Sequence, residues 1–407
     1  MHYFTHTFPN GLRLIHLPSD TPVSYCGFAV NAGTRDEETH EYGLAHFVEH
    51  LLFKGTTKRK ARHILNRMEN VGGELNAYTT KEDTFVYAVF MKEHFGRAFE
   101  LLSDIVFHST FPPQEIAKEV DVISDEINTY KDSPSELIFD DFEDLLFSGH
   151  ALGHNILGDE ASLLRFTSET GLSFTRRFYV PSNMVFFSMG QIKPDKIIRL
   201  AEDTRQEASP LFSLHRTPPP LLPPQNKRVK RDTHQAHVMI GRPTYSLYED
   251  DKKRIPLFLL NNLLGGPGMN SRLNLSLREK HGLVYNVEAN LTSYTDIGLA
   301  SIYFGTDPKH TEKALRLVYN ELRRLCNTRL SSSQLTAIKK QVSGQLGISS
   351  ENKENTFLAL GKQFLRRNRY ESFAESLKKI EAVTAESMLE VANEVFSPEG
   401  LSSLIYT

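Results

Sequence analysis

The chain has 407 residues, which is enough for two or three domains. Its formal net charge of −3 excludes the basic footprint of a nucleic-acid-binding protein. The sequence shows neither a basic N-terminal head followed by an apolar run nor a membrane-spanning stretch. We therefore expect no membrane contact and a cytoplasmic location, with a periplasmic or organellar location left open for a processed precursor.

The first strongly predicted helix, at residues 44–52, carries the pattern His46-x-x-Glu49-His50. Positions i, i+3 and i+4 share one face of a helix, so both imidazoles and the carboxylate project into the same small volume. The other residues of the segment are apolar, which predicts a buried helix. Buried polar groups are costly without partners, and a metal ion would satisfy them. Zinc suits this set because it takes two or three protein ligands and leaves one position for water, whose proton a nearby carboxylate can accept.

Strands are predicted at residues 28–32 and 85–90, and a helix at residues 94–102. Asn76 precedes the strand predicted at residues 85–90, and by itself it is equally typical of a turn residue. A further helix follows, in which Glu119 and Glu126 lie two turns apart on one side. Either carboxylate could complete a metal site, and both could also be solvated side chains of an ordinary amphipathic helix.

The clearest boundary is the segment His215–Lys227, whose five prolines favour an extended linker. We therefore divide the chain into domains at 1–213 and 228–407, joined by a linker at 214–227. A strand at 236–241, a helix at 255–264, a strand at 299–304 and a helix at 310–318 repeat the order of the first half. This order predicts an internal duplication whose second copy lacks the metal-binding residues. Helices at 332–347 and 385–395 close the second domain.

Arg278 and Tyr285 stand seven residues apart after a glycine-rich turn in the second half. On their own they are typical of surface and packing residues. A guanidinium and a phenol can, however, donate hydrogen bonds to a peptide carbonyl or to the oxyanion that develops on it.

These motifs together resemble the inverted-zinc-motif peptidases, the pitrilysin and insulinase family, and in particular its half-length branch similar to mitochondrial processing peptidase. The resemblance implies one Zn²⁺ per chain, a general base inside the motif, a substrate-pairing strand in Gly72–Thr79, and a substrate-binding pair in the second half. The resemblance implies that the metal ligands are His46, His50 and Glu126, that Glu49 is the base, and that Glu119 has an electrostatic role beside the metal. It also implies that the backbone of Asn76 and Ala77 pairs with the substrate. The side chains that bind the substrate carbonyl would be Arg278 and Tyr285.

The resemblance also implies an α+β fold of two similar domains, each an antiparallel sheet packed against helices, that forms one half of a clamshell. The implied function is a zinc endopeptidase that hydrolyses peptides or unfolded segments inside a dimeric chamber. A homodimer is expected, with Arg278 and Tyr285 acting across the interface, and a heterodimer with a degenerate partner is the alternative. The rival function is a non-catalytic subunit that acts as a scaffold or binds substrate.

Overall fold

The computed structural model describes residues 3–203, 212–231 and 233–407. Its strands are β1 (Phe4–Thr7), β2 (Arg13–Pro18), β3 (Val23–Val30), β4 (Glu74–Thr79), β5 (Thr84–Met91), β6 (Met184–Gly190), β7 (Asn226–Val229), β8 (Ala236–Thr244), β9 (Val284–Ser293), β10 (Gly298–Thr306) and β11 (Ser402–Tyr406). Its α-helices are α1 (Leu44–Leu52), α2 (Ala61–Glu69), α3 (Phe95–His108), α4 (Pro113–Lys131), α5 (Pro134–Leu146), α6 (Glu160–Leu163), α7 (Ser168–Phe178), α8 (Pro194–Asp203), α9 (Asp251–Gly265), α10 (Thr311–Asn327), α11 (Ser332–Ser350), α12 (Lys353–Arg367), α13 (Phe373–Ala382) and α14 (Ala385–Phe396).

These elements form two compact units that exchange segments of chain. The first unit comprises Met1–Asn128, Asn155–His215 and Ser350–Glu371, and the second comprises Thr129–His154, Arg216–Ser349 and Ser372–Thr407. The boundary between the two units at residues 215 and 216 falls inside the proline-rich segment. The predicted domains, 1–213 and 228–407, do not account for this exchange of segments. In the structure α5 belongs to the second unit and α12 to the first.

The first unit is built on a six-stranded sheet in the order β1-β2-β6-β3-β5-β4. Its pairs are antiparallel except β2 with β6, which run parallel. The expected antiparallel sheet therefore contains one parallel pair. Since β6 arrives at the end of a long connection through α3 to α7, it can enter the sheet beside β2 in either direction, whereas a short hairpin would force antiparallel pairing.

Both faces of this sheet are covered, which explains why its central strands are apolar at nearly every position. Phe186 and Phe187 are adjacent in β6, so their side chains point to opposite faces. The ring of Phe186 lies 4.9 Å from that of Phe99 in α3, and the ring of Phe187 lies 4.4 Å from that of Phe357 in α12. A Cβ at Gly361 would lie 2.6 Å from the Phe187 ring, so a glycine there allows α12 to approach the sheet.

The second unit contains a five-stranded sheet in the order β7-β11-β8-β10-β9, with one parallel pair between β7 and β11. When β2 to β6 are matched in chain order with β7 to β11, the spatial order of the two sheets is the same. The exchanged helices also correspond: α12 packs on β3 and β6, and α5 packs on β8 and β11. The prediction of two similar sheet-and-helix domains is confirmed, and the duplication includes the helix that each unit receives from the other half of the chain.

Within the described residues, no helix combines the length and the apolar character needed to cross a bilayer. The two cysteines, Cys26 and Cys326, are buried free thiols in different units.

His16 lies in the centre of the first sheet and generates a prediction about pH. It is fully buried, and its Nδ1 lies 2.9 Å from Ser188 Oγ. Burial lowers the pKa of His16 from 6.5 to about 4. Because the unfolded chain then binds the proton more readily, the folded state loses stability as the pH falls from 6.5 towards 4. We expect metal-free protein to lose roughly 2–3 kcal/mol more unfolding free energy between pH 7 and pH 4 than a His16→Gln variant does.

Denaturant unfolding of the two proteins at both pH values measures this difference, and any offset that the substitution adds at all pH values cancels. Parallel pH dependences in the two proteins would show that the protonation of His16 is not coupled to unfolding.

Candidate metal centre and active site

Helix α1 presents the three polar residues of the motif on one face and apolar residues to the core on the other. Phe47, Val48 and Leu51 are fully buried in the core of the first unit. His46 is buried, and Glu49 and His50 are half-buried. Packing of the apolar face therefore fixes the direction in which the motif points.

The N-terminus of α1 is held by a buried carboxylate. Glu37 accepts hydrogen bonds from the backbone N–H groups of Gly43 at 2.9 Å and Ala45 at 2.7 Å. These groups have no partner inside the helix. Burial raises the pKa of Glu37 well above its ordinary value, although the bonds from Ala45 and Gly43 oppose that shift. Gly43 has a φ of +94°, and a Cβ there would lie 2.7 Å from the carbonyl oxygen of Leu157. A glycine is therefore required where the chain enters the helix.

His46, His50 and Glu126 converge. Glu126 Oε2 lies 3.8 Å from His46 Nε2 and 3.6 Å from His50 Nε2. One ligand atom from each of the three residues lies within 4.8 Å of the other two, and no other such group occurs in the parts of the chain that the structure describes. Two ligand atoms that each lie 2.0–2.1 Å from a tetrahedral zinc ion are about 3.4 Å apart. The two distances to Glu126, 3.8 and 3.6 Å, exceed this value by only a few tenths of an ångström, so the three side chains can converge on a zinc ion.

Glu119 lies behind His50 and not among the converging atoms. Its Oε1 accepts a hydrogen bond from His50 Nδ1 at 2.9 Å, and its Oε2 lies 2.7 Å from Lys54 Nζ. Burial would raise the pKa of Glu119, but the bonds from His50 and Lys54 outweigh it and lower that pKa. An ionised Glu119 keeps the proton of His50 on Nδ1, so the lone pair of Nε2 faces the convergence point.

The two imidazoles differ in electrostatic environment although their ring centroids are only 4.5 Å apart. Burial, aided by the neighbouring His50, lowers the pKa of His46 to about 3, so this ring is neutral and available as a ligand throughout the neutral range. Burial acts in the same direction on His50, but Glu119, Glu49 and Glu126 together raise its pKa. Metal binding at neutral pH therefore competes with a proton mainly at His50.

Glu49 is positioned as a base beside the three converging residues. Burial raises the pKa of its carboxyl group, and Glu126 contributes in the same direction, whereas Thr79 and His50 oppose the shift. A carboxylate with a raised pKa accepts a proton more readily near neutral pH than an exposed one does. Thr79 is the last residue of β4, which packs near α1, so the end of that strand lies near the candidate base.

Strand β4 lies at the edge of the first sheet and pairs only with β5 among the described strands. Asn76 stands opposite Tyr87 and Ala77 opposite Val86 in this pairing. Ala77 packs against the core on the α1 side, so alternation places the Asn76 side chain on the opposite face. The backbone of both residues borders an edge that a further strand can join.

Arg278 and Tyr285 lie side by side in the second unit. Arg278 belongs to a π-helical segment, Asn274–Glu279, and Tyr285 is the second residue of β9. The guanidinium carbon lies 5.5 Å from the centre of the Tyr285 ring, and Tyr285 is 84% exposed. Arg278 also borders a pocket of about 330 Å³ between β9 and the glycine-rich turn at Gly265 and Gly266. Both side chains are thus presented outward and are not used for packing.

Sequence reasoning missed three residues that support the centre. Lys54 stands four residues after His50, a helical spacing that could have been recognised. Thr79 lies within the expected substrate strand, but nothing in its pattern indicates an influence on the pKa of Glu49. Glu37 carried no signal, because a carboxylate that caps a helix from outside it has no fixed spacing from the motif.

The contact between Glu119 and His50 predicts an effect on metal affinity. Replacing Glu119 by alanine removes the acceptor that orients the imidazole, and we expect zinc affinity to fall about 10- to 100-fold. Competition with a chromophoric chelator measures the affinity, and Glu115→Ala on the same helix, which removes only a surface pair with Lys118, is the matched control. Equal zinc affinity in the two variants would contradict the orienting role of Glu119.

Comparison with known proteins places this geometry in a family. A family model described as Insulinase (Peptidase family M16) matches residues 14–160, which contain the motif and Glu126, and one described as Peptidase M16 inactive domain matches residues 165–342. Two crystal structures share the fold. A protease from Helicobacter pylori superposes with a TM-score of 0.91 and 19% identity, covering 100% of this chain and 99% of that one. A peptidase M16 inactive domain from Pseudomonas fluorescens superposes with a TM-score of 0.92 and 18% identity, covering 100% of this chain and 98% of that one.

Relatives extend over the whole chain. The uncharacterized zinc protease YmxG of Bacillus subtilis is 31% identical over 408 residues, which cover 98% of this chain and 97% of that protein. An uncharacterized zinc protease of Streptomyces coelicolor is 30% identical over 98% of this chain and 88% of its own length. Identity at this level over nearly the full length of both proteins shows that this chain belongs to the insulinase family of peptidases, family M16.

Proposed function

We propose that this protein is a zinc endopeptidase that hydrolyses peptides or unfolded polypeptide segments. The observation that carries the proposal is the convergence of His46, His50 and Glu126 beside Glu49, at the end of a strand with a free edge. The relatives named zinc proteases support both the metal and the reaction class. One zinc ion per chain follows from the single group of converging side chains in the described residues.

His46, His50 and Glu126 would hold the metal. A zinc ion in this position supplies Lewis-acid polarisation of a peptide carbonyl and lowers the pKa of water. Glu49 accepts the proton of the attacking water and returns it to the nitrogen of the leaving amine, a role that suits a carboxylate of raised pKa. Glu119 keeps the His50 proton on Nδ1 and so keeps Nε2 available as a ligand.

Substrate binding is assigned to the edge of β4. An extended peptide can add to this edge through the backbone groups of Asn76 and Ala77, and such pairing is independent of substrate side chains. Because the end of β4 packs near α1, which carries Glu49, a peptide aligned along β4 reaches the base. Endopeptidase activity on unfolded chains is the consequence, since folded segments cannot offer a free strand.

Arg278 and Tyr285 complete the site in a homodimer. Both are presented outward from the second unit, and their N–H and O–H groups can donate to the substrate carbonyl. In a homodimer each chain contributes its zinc residues to one site and its Arg278 and Tyr285 to the other. A non-catalytic or heterodimeric subunit remains the second candidate, but none of the expected zinc ligands is substituted in this chain.

Substitution of the base tests the activity. We expect Glu49→Gln to retain about one zinc per chain and to lose roughly 10²- to 10⁴-fold in kcat for cleavage of a quenched peptide library, because the proton acceptor is removed while the ligands remain. Glu93→Gln, an exposed glutamate of the same unit, is the control. Wild-type protein that binds no zinc and cleaves no peptide would favour the non-catalytic subunit.

Because each proposed active site takes residues from both subunits, mixing two inactive variants should restore part of the activity. In a mixed dimer of Glu49→Gln and Arg278→Ala chains, one of the two sites has both Glu49 and Arg278 intact. An equimolar mixture that exchanges subunits should therefore reach about one quarter of the wild-type activity. Native mass spectrometry follows the exchange and a quenched peptide follows the activity. Complete exchange without recovery would show that each site is built within one chain.

A further inference from the structure

The turn that joins β4 to β5 is buried, which is unusual for a hairpin connection. Lys81, Glu82 and Asp83 are each at most 5% exposed. Thr80 organises the turn: its N–H donates to the carbonyl of Asp83 at 2.8 Å, and its hydroxyl donates to the Asp83 carboxylate at 2.7 Å. The turn follows directly after Thr79, the last residue of β4, and β4 packs near α1, which carries Glu49.

One side of this turn is held by the segment that precedes α1. The N–H groups of Thr34 and Arg35 donate to the carbonyls of Thr80 and Lys81, at 3.2 and 2.7 Å. The Arg35 guanidinium donates to Glu82 Oε1 at 2.7 Å. A Cβ at Gly33 would lie 2.2 Å from the Thr80 carbonyl oxygen, so the two backbones are in direct contact.

The other side is held by Arg366, which belongs to α12 and comes from the C-terminal part of the chain. Its guanidinium donates to the Asp83 carboxylate at 2.9 Å, to the Glu82 carbonyl at 2.9 Å and to the side-chain oxygen of Asn31. The Arg366 side chain is only 4% exposed. Burial would raise the pKa of Asp83, but Lys362 and Arg366 outweigh it and lower that pKa, so the pair is ionised in the interior.

We propose that Arg366 is a positioning residue that holds the substrate-binding edge of β4 in place through its contacts with Asp83, Glu82 and Asn31. β4 has one partner strand among those described, so the buried turn at its end is an important further backbone restraint on its position. Loss of Arg366 releases the turn on the α12 side, and β4 then moves relative to Glu49. The assignment of β4 to substrate rests on the proposed function, whereas the restraint itself rests only on the contacts.

A planar guanidinium is required because it reaches a carboxylate, a backbone carbonyl and an amide oxygen at once. Lysine offers a single ammonium group and cannot span the three acceptors. Asp83→Asn keeps the size of the acceptor and removes its charge. Arg366→Gln removes the guanidinium that pairs with the buried Asp83 and leaves Lys362 as its nearby positive charge. The paired variant Arg366→Gln with Asp83→Asn therefore serves as a second test, because it removes both charges of the pair together.

Hydrogen exchange of zinc-loaded protein, read by mass spectrometry, tests the proposal. In Arg366→Gln, and in the paired variant, we expect amides of residues 74–79 to exchange at least about tenfold faster than in wild type, with β2 and β6 unchanged and zinc content retained. KM for a peptide long enough to lie along β4 should rise about tenfold with little change in kcat, because only binding is weakened. Arg369→Gln, which removes an exposed pair with Glu371 just beyond α12, should match wild type in each measurement.

Wild-type exchange at residues 74–79 in both variants, or faster exchange spread equally over the whole sheet, would overturn the positioning role. The exchange measurement needs no catalysis, so it separates the two proposals: an inactive wild-type protein whose β4 still loosens in these variants would contradict the peptidase function and not the restraint by Arg366.

Discussion

Two imidazoles and a carboxylate on one face of a buried helix are the constraint on which the rest of the first unit depends. Burying such groups without partners is costly. Their burial becomes favourable only when their lone pairs meet at one point, where a metal ion can bind. The apolar side of α1 anchors the helix in the core, Glu37 holds its N-terminus, and α4 brings Glu119 and Glu126 to the other side. The sheet and its covering helices therefore serve to fix a few side-chain atoms within 4.8 Å of one another.

The duplication separates two tasks. Both units use the same strand order, but only the first carries converging ligands in the residues that the structure describes. The second unit presents Arg278 and Tyr285 outward beside its own edge strand. The reciprocal exchange of α5 and α12 ties each unit to the other half of the chain. Through Arg366 this exchange also reaches the strand beside the candidate base, so a helix near the C-terminus contributes to a site near the N-terminus.

The sequence predicted local features well and long-range ones poorly, for physical reasons. The face shared by His46, Glu49 and His50 follows from helical geometry alone, and the repeated order of helices and strands indicated the duplication. Spacing could not choose between Glu119 and Glu126; the family resemblance favoured Glu126, and the structure shows Glu119 hydrogen-bonded to the back of His50. The parallel pairs and the helix exchange were missed, because periodicity shows that a face is buried but not which element covers it. Arg366 had no signal, since its acceptors lie between 283 and 335 residues earlier in the chain.

The central claim is that one zinc ion binds between His46, His50 and Glu126, with Glu49 beside it as the base. Anomalous scattering at the zinc absorption edge, from crystals of the protein purified with its native metal, tests this claim most directly. The account predicts one strong peak per chain within about 2.0–2.2 Å of His46 Nε2, His50 Nε2 and a Glu126 carboxylate oxygen. A peak bound by Glu119 in place of Glu126, a peak elsewhere in the chain, or crystals of fully folded protein with no zinc at this position would contradict it.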